Sequence, residues 1–173
     1  LRWIGRGRVR ASGNLAPIRI RAGTFGDHGT LMVSPQHRIL IRDPLAELMF
    51  GEQDVLVAAK ELVNDSTIRS VPGGSVDYIH LFFDCHQIIF SEKLATESYL
   101  PGAETARGFD DRIMAELRAI FPPLDMKKGT AMTSVRPILR SYEAQALIGA
   151  ARQLKVPFRP PVRRPAPSRR RAA

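Results

Sequence analysis

Short apolar runs separated by turn residues dominate the first ninety positions of the chain. Residues 18–21 alternate apolar and polar positions with the period of two that is typical of a half-exposed strand. Longer runs rich in β-branched and aromatic residues occupy 31–41 and 76–90, the second with a predicted bend near 84–86. Other short strands are predicted at 1–5, 54–57 and 67–71. The pattern therefore predicts a mainly β module, residues 1–102.

Helical signals interrupt this β pattern and follow it. Asp43, then Pro44, and Gly51 two turns later predict a short helix that begins at an aspartate N-cap and ends at a glycine. Further along, apolar residues recur at helical spacing and predict one amphipathic helix at 109–121 and another within 135–154. We therefore expect a helical extension over residues 103–155 that docks on the β module or joins it to a neighbouring domain.

The two ends of the chain hold half of its basic residues. Residues 1–21 carry six arginines, and residues 154–173 carry six arginines and one lysine, with no acidic residue in either segment. The net charge of +9 therefore leaves about −4 for residues 22–153. Proline spacing from 156 onward forbids a helix, so residues 156–173 are predicted to form a disordered, polyproline-like tail. A solvated extension is favoured over nucleic-acid or membrane binding, since Phe158 is the tail's only aromatic residue.

The cysteine and two of the four histidines favour structural interpretations. Cys85 is the only cysteine, so neither an intrachain disulfide nor a cysteine-based zinc site is expected, and the side chain is predicted to be buried. His28 is predicted to be a turn residue, and His80, between Ile79 and Leu81, to face solvent or a loop. No apolar run approaches the roughly 20 residues of a membrane helix. No metal or cofactor is expected.

The other two histidines lie in the two longest strand-like segments. Ser34 precedes His37 by three residues, and Asp84 precedes His86 by two. An imidazole in apolar surroundings needs hydrogen-bond partners or a chemical role. A hydroxyl and an imidazole beside one peptide bond can polarise its carbonyl and protonate the departing amide nitrogen. Taken alone, Ser-x-x-His more often marks a structural histidine.

In their order and spacing, these motifs resemble the bacterial Hint family of hedgehog/intein type. The resemblance rests on four segments, at 2–5, 33–38, 78–86 and 96–102, and covers residues 1–102. It implies an all-β horseshoe of two pseudo-symmetric halves, with the reacting peptide bond in a central cleft. It also implies four catalytic residues: Ser34, where the family usually has Thr, and His37, Asp84 and His86.

Three departures from the family pattern bear on activity. The Cys or Ser that opens the family's domain is expected upstream of Leu1, which makes the chain a fragment that is inactive by itself. Ile79 occupies a position that is often acidic in inteins. Thr96 and Glu97 stand where inteins end in His-Asn, so the asparagine cyclisation that completes splicing is not expected.

The resemblance thus implies single-turnover autoproteolysis by N-terminal acyl shift, with the protein's own upstream polypeptide as substrate and no cofactor. Two alternatives stay open at this point. The first is a Hint-fold module that has lost its chemistry and serves as a structural or interaction domain. The second is a nucleic-acid binder that acts through its basic ends, for which strong and salt-dependent retention of DNA would argue.

Overall fold

The computed structural model describes residues 1–100 and 132–158, and these residues are mainly β, as predicted. They contain nine strands: β1 (Trp3–Arg10), β2 (Ile18–Ile20), β3 (Leu31–Val33), β4 (Arg38–Arg42), β5 (Asp54–Ala58), β6 (Ile68–Ser70), β7 (Ser75–Phe82), β8 (Ile88–Ser91) and β9 (Leu94–Glu97). Two α-helices, α1 (Pro44–Phe50) and α2 (Ser141–Gln153), and two 3₁₀ turns, Gly13–Leu15 and Ala59–Leu62, complete the described elements. The predicted helix at 109–121 lies outside the described residues, as do residues 159–173 of the predicted tail.

Antiparallel pairing joins the strands into three sheets. β1 pairs with β7, β2 lies between β3 and β6, and the third sheet has the order β5-β4-β9-β8. In the third sheet Ile39 pairs with Thr96, which sets Arg38 beside Glu97. The Tyr99 N–H donates to the Leu81 carbonyl at 2.9 Å and so ties the end of β9 to β7. These two junctions bring three sequence-distant strands to one place.

Both long strand-like segments divide into two strands. In the first, the His37 N–H donates to the Ser34 carbonyl at 3.1 Å, so a turn separates β3 from β4. In the second, the chain leaves β7 at Phe82, and the loop before β8 carries Cys85 and His86. Cys85 is therefore exposed, and the prediction of a buried cysteine is wrong because no strand runs through its position.

Buried apolar residues from the second and third sheets and from α2 form one core, whose largest fully buried members are Ile20, Ile39, Ile41, Val55, Val57, Leu94 and Leu147. α2 contributes the face that carries Ala144, Leu147 and Ile148. Burial of each such aliphatic side chain stabilises the fold by about 1.5–3 kcal/mol before conformational entropy is counted. The C-terminal helix therefore shares the core of the β strands.

The short helix begins and ends as the sequence predicts. Asp43 Oδ1 accepts a hydrogen bond from the Leu45 N–H at 2.9 Å, and Pro44 occupies the first turn, where a missing N–H does no harm. Gly51 ends α1 with a φ of 74°, a left-handed conformation that glycine adopts without a steric penalty.

α2 lies within the predicted range of 135–154 and begins at Ser141. The preceding segment pairs with β5 instead: the Leu56 N–H donates to the Pro137 carbonyl at 2.8 Å, and the Leu139 N–H donates to the Leu56 carbonyl at 3.0 Å. Pro137 also favours an extended conformation for the residue before it. In the described ranges, neither helix has the length and apolar character needed to cross a membrane.

Candidate functional site

A cavity of about 420 Å³ opens between the β3–β4 turn, β7 and the end of β9. Its lining includes Ser34, His37, His80, Glu97 and Tyr99. A larger cavity, of about 550 Å³, lies at the C-terminal end of α2, but no histidine, cysteine or carboxylate lines it in the described part of the chain. Because the titratable groups converge on the smaller cavity, we take it as the candidate site.

His37 is held at this cavity by backbone hydrogen bonds on both sides. Its N–H closes the turn from Ser34, and its carbonyl accepts from the Ala59 N–H at 2.9 Å. The Nε2 atom is buried and makes no hydrogen bond to any described residue. Burial lowers the pKa of His37; the charge of Arg38, and that of His86 whenever its ring is protonated, act in the same direction, while the charge of Glu97 opposes them. The ring is therefore neutral near pH 7 and able to accept a proton.

His80 faces the same cavity, contrary to its predicted orientation. Its ring packs edge-on against Tyr99, with centroids 4.9 Å apart and an interplanar angle of 69°. Burial, reinforced by the nearby His37, lowers the pKa of His80 to about 4. The alternation along β7 has the opposite phase from the predicted one: the apolar Ile79 is 65% exposed and His80 points inward.

Glu97 is a buried carboxylate that accepts hydrogen bonds from Arg38 and faces His86. Its Oε1 accepts from the Arg38 N–H at 2.9 Å, and its Oε2 accepts from Arg38 Nη1 at 2.8 Å. His86 Nε2 lies 3.3 Å from the same Oε2. Burial alone would raise the pKa of Glu97, but His86, Arg38 and His37 outweigh it and hold that pKa below its usual range. The site therefore keeps a permanent negative charge beside its histidines.

His86 lies behind Glu97, and its side chain is fully buried. Its Nδ1 accepts a hydrogen bond from the Val135 N–H at 3.1 Å. A neutral imidazole that accepts at Nδ1 carries its proton on Nε2, the nitrogen that faces Glu97. At 3.3 Å this contact is longer than a standard charge-assisted hydrogen bond of about 2.7–2.9 Å and does not have hydrogen-bond geometry, so Glu97 acts on Nε2 as a nearby negative charge.

The four predicted catalytic residues lie at different distances from the cavity. Ser34 and His37 line it together, and His86 meets it only through Glu97. Asp84 does not line the cavity: its side chain is 75% exposed and forms an ion pair with Arg2 at 3.1 Å. The structure thus brings three of the four into one neighbourhood and places Asp84 at the surface.

Sequence reasoning missed His80, Arg38 and Glu97 as members of the site. Glu97 does not match the asparagine that ends inteins, but an acidic residue that follows Leu94 and Ala95 and precedes a Ser-Tyr pair is a signal in itself. Charged residues buried among apolar ones are almost always paired. That rule would have predicted a basic partner for Glu97.

The described side chains place proton donors and acceptors around one open cavity. Ser34 can donate a hydrogen bond, His37 and His80 can exchange protons, and Glu97 supplies a fixed negative charge. Among residues 1–100 and 132–158, no group of three or more His, Cys, Asp or Glu is arranged to hold a metal ion. The arrangement suits acid–base chemistry on a group that enters the cavity.

Comparison with known proteins assigns the part of the chain that forms this cavity to a protein family. The family model for the Hint domain matches residues 1–103, more than half of the chain and the whole of the cavity lining, whereas Ser134 and Val135 lie beyond it. Separate comparisons with curated proteins and with solved structures found no significant match. Since the match covers both the β strands and the histidine motifs, the chain belongs to the Hint domain family.

Proposed function

We propose that the chain is the Hint part of a self-processing protein that cleaves its own backbone by an N-terminal acyl shift. One observation carries the proposal: His37, whose buried Nε2 makes no hydrogen bond to a described residue, lines a cavity together with the Ser34 hydroxyl. An unsatisfied buried nitrogen costs about 1–3 kcal/mol, so its presence at a cavity favours a chemical role over a structural one.

In the proposed reaction, a Cys or Ser upstream of Leu1 attacks the carbonyl carbon of the peptide bond that precedes it. The neutral His37 ring accepts the proton of that thiol or hydroxyl and then delivers it to the amide nitrogen as the carbon–nitrogen bond breaks. The products are a thioester or ester and a free amine, with no net change in protons. The Ser34 hydroxyl donates a hydrogen bond to the carbonyl oxygen, worth about 1–3 kcal/mol in the transition state.

His86 and Asp84 have less direct support as catalytic residues. His86 contacts the cavity through Glu97, so we assign it the role of positioning that carboxylate beside His37. Asp84 is assigned by the motif alone, since its exposed carboxylate pairs with Arg2. A positioning role for Asp84 would act through the loop that carries His86.

The second half of the reaction is proposed to be hydrolysis or transfer to another nucleophile, not ligation. Cyclisation at the end of an intein uses the side-chain amide nitrogen of asparagine, and the carboxylate of Glu97 has no such nitrogen. Its oxygens also accept two hydrogen bonds from Arg38. The acyl group is therefore transferred to water or to a nucleophile on a second molecule.

A Hint-fold module without catalysis is the second candidate. The buried contacts among Arg38, Glu97 and His86 favour it, because such a network can hold strands together whether or not any bond is cleaved. The two candidates differ in the role they give to Nε2 of His37, which makes no hydrogen bond to a described residue. Only the catalytic one gives it a proton to carry.

The test compares two forms of the protein by mass spectrometry after incubation with a thiol. Expressed with the segment that precedes Leu1, the protein should release a fragment that begins with Cys or Ser. Residues 1–173 alone should remain one intact species, because exposed Cys85 lies outside the cavity lining. An uncleaved longer form would reject the catalytic candidate, and specific fragments cut near Ser34 or Cys85 in the shorter form would show that the nucleophile is misplaced.

A further inference from the structure

We infer that residues 134–139, here called the strap, are part of the active centre because their backbone sets the ring tautomer of His86. The strap lies outside the Hint domain match, which ends at residue 103. The inference rests on the proposed function only where it concerns cleavage, since the tautomer itself is a property of the folded chain.

The strap is fixed to β5 by its own hydrogen bonds. Leu56 donates to the Pro137 carbonyl and accepts from the Leu139 N–H, which makes an isolated parallel bridge between Leu56 and Ile138. Arg136 Nε lies 3.4 Å from Asp54 Oδ2, and Leu139 is buried in the core. The strap is therefore held to the core sheet independently of the histidine that it meets.

Two groups of the strap approach His86 Nδ1, but only one of them can donate to it. The Ser134 hydroxyl lies 3.3 Å from Nδ1 and also 2.7 Å from the Arg136 carbonyl oxygen. A hydroxyl has one proton, and the shorter contact to the carbonyl takes it, so the Ser134 oxygen can only accept from Nδ1, at the longer distance of 3.3 Å. The Val135 N–H, at 3.1 Å, is then the donor to Nδ1. A backbone donor of this kind cannot rotate away or invert its polarity.

The Val135 N–H excludes a proton from Nδ1, because two donors would face each other there. The proton of the neutral His86 ring is thereby kept on Nε2, 3.3 Å from Glu97 Oε2. With the opposite tautomer, a nitrogen lone pair would face the carboxylate and repel it. Glu97 in turn is the charge that raises the pKa of His37 against the effect of burial. The strap is therefore a positioning element that acts on His37 through His86 and Glu97.

Nuclear magnetic resonance of the imidazole nitrogens tests the inference on residues 1–173. Long-range ¹H–¹⁵N correlation distinguishes protonated from unprotonated ring nitrogens, and His86→Gln identifies the His86 signals. In the wild type, His86 should show an unprotonated Nδ1 and a protonated Nε2. Val135→Pro removes the donor and should give a mixture of tautomers, while the matched Val135→Ala keeps the N–H and should give the wild-type pattern. Val135 is on the surface, so the alanine variant should fold.

A proton on Nδ1 of wild-type His86, or an unchanged tautomer in a folded Val135→Pro variant, would overturn the inference. If Val135→Pro does not fold, the wild-type spectrum and the hydrogen exchange of the Val135 N–H decide: slow exchange supports the hydrogen bond and fast exchange contradicts it.

Cleavage by the longer, self-processing form provides the second readout. Val135→Pro should slow it about 10–100-fold, as loss of an outer hydrogen bond to a functional histidine commonly does, and Val135→Ala, which keeps the N–H, should slow it much less. Equal cleavage rates for the two variants would show that the strap's N–H has no part in cleavage. Absence of cleavage in the wild type would reject the proposed function and leave the tautomer result intact.

Discussion

At the scale of single residues, His37 and His80 line one cavity, and burial lowers the pKa of both rings. A positive charge on either ring would lie in a partly buried space, where like charges repel each other more strongly than in water. Of the charges that act on His37, that of Glu97 favours the protonated ring, and those of Arg38 and His86 oppose it. The pair therefore resists taking up protons in the folded state, and this resistance must appear in the pH dependence of stability.

We predict that the chain loses stability as the pH falls from about 6.5 to about 4. In this window the unfolded chain protonates His80, with a pKa of about 6.5, whereas the folded chain does not, because its His80 has a pKa of about 4. The free energy of unfolding then falls by about 3 kcal/mol from His80. His37 acts in the same direction, and Glu97, whose folded pKa is lowered, adds a further loss at lower pH.

Urea denaturation at a series of pH values measures this effect. His80→Phe keeps a ring against Tyr99 but cannot titrate, so its free energy of unfolding should depend less steeply on pH than that of the wild type. A wild-type stability that is flat between pH 7 and 4.5, or equal slopes in the two proteins, would contradict the placement of His80 in the cavity.

At the scale of elements, α2 is predicted to contribute to the stability of the whole β core. Leu147 is 1% exposed on the helix face that packs against the strands, and Leu154, just after the helix, is 60% exposed. Leu147→Ala should lower the free energy of unfolding by about 2–5 kcal/mol through lost burial and a cavity. Leu154→Ala, the same change at the surface, should alter it by no more than about 0.5 kcal/mol.

Both variants can be compared in one urea titration with the wild type. Equal midpoints for Leu147→Ala and the wild type would show that α2 does not share the core. A separate, earlier transition that affects only the helix would show that the helix folds as its own unit.

The elements differ in how far the sequence could predict them, for physical reasons that particular residues show. α1 was predictable because its signals are local: Asp43 caps it, Pro44 starts it and Gly51 ends it. The β8–β9 hairpin was not, because its turn places Glu92 and Lys93 at positive φ, where glycine or asparagine is the usual signal. For α2 the sequence predicted a range and not a start, because the strap before Ser141 is fixed by hydrogen bonds to β5, a tertiary contact.

The site shows the same division between local and long-range information. The Ser34–His37 turn is a contiguous motif, so the sequence could place these two residues together. Glu97 joins Arg38, 59 positions away, and His86 joins Val135, 49 positions away. Such contacts depend on how strands and strap meet, which no local pattern encodes.

At the scale of the whole molecule, the proposed active centre includes a segment outside the Hint domain match. The β module supplies the cavity, and a segment outside the Hint match supplies the donor that orients His86. In the described residues, the core likewise runs from β2 through the sheets to α2. We conclude that residues 132–158 belong to the folded unit in which the proposed reaction takes place.

The central claim is that His37 carries the proton to the departing amide nitrogen. The most direct test is the rate of thiol-induced cleavage in the proposed longer form, in which a segment with a Cys or Ser precedes Leu1, measured for wild type, His37→Ala and Cys85→Ser. We predict that His37→Ala slows cleavage by about 10²–10⁴-fold, or roughly 3–5 kcal/mol of barrier, because the amide nitrogen leaves poorly unless it is protonated. Cys85→Ser should cleave at the wild-type rate. Cleavage of His37→Ala at the wild-type rate would contradict the claim and make the imidazole a structural part of a Hint module without its chemistry.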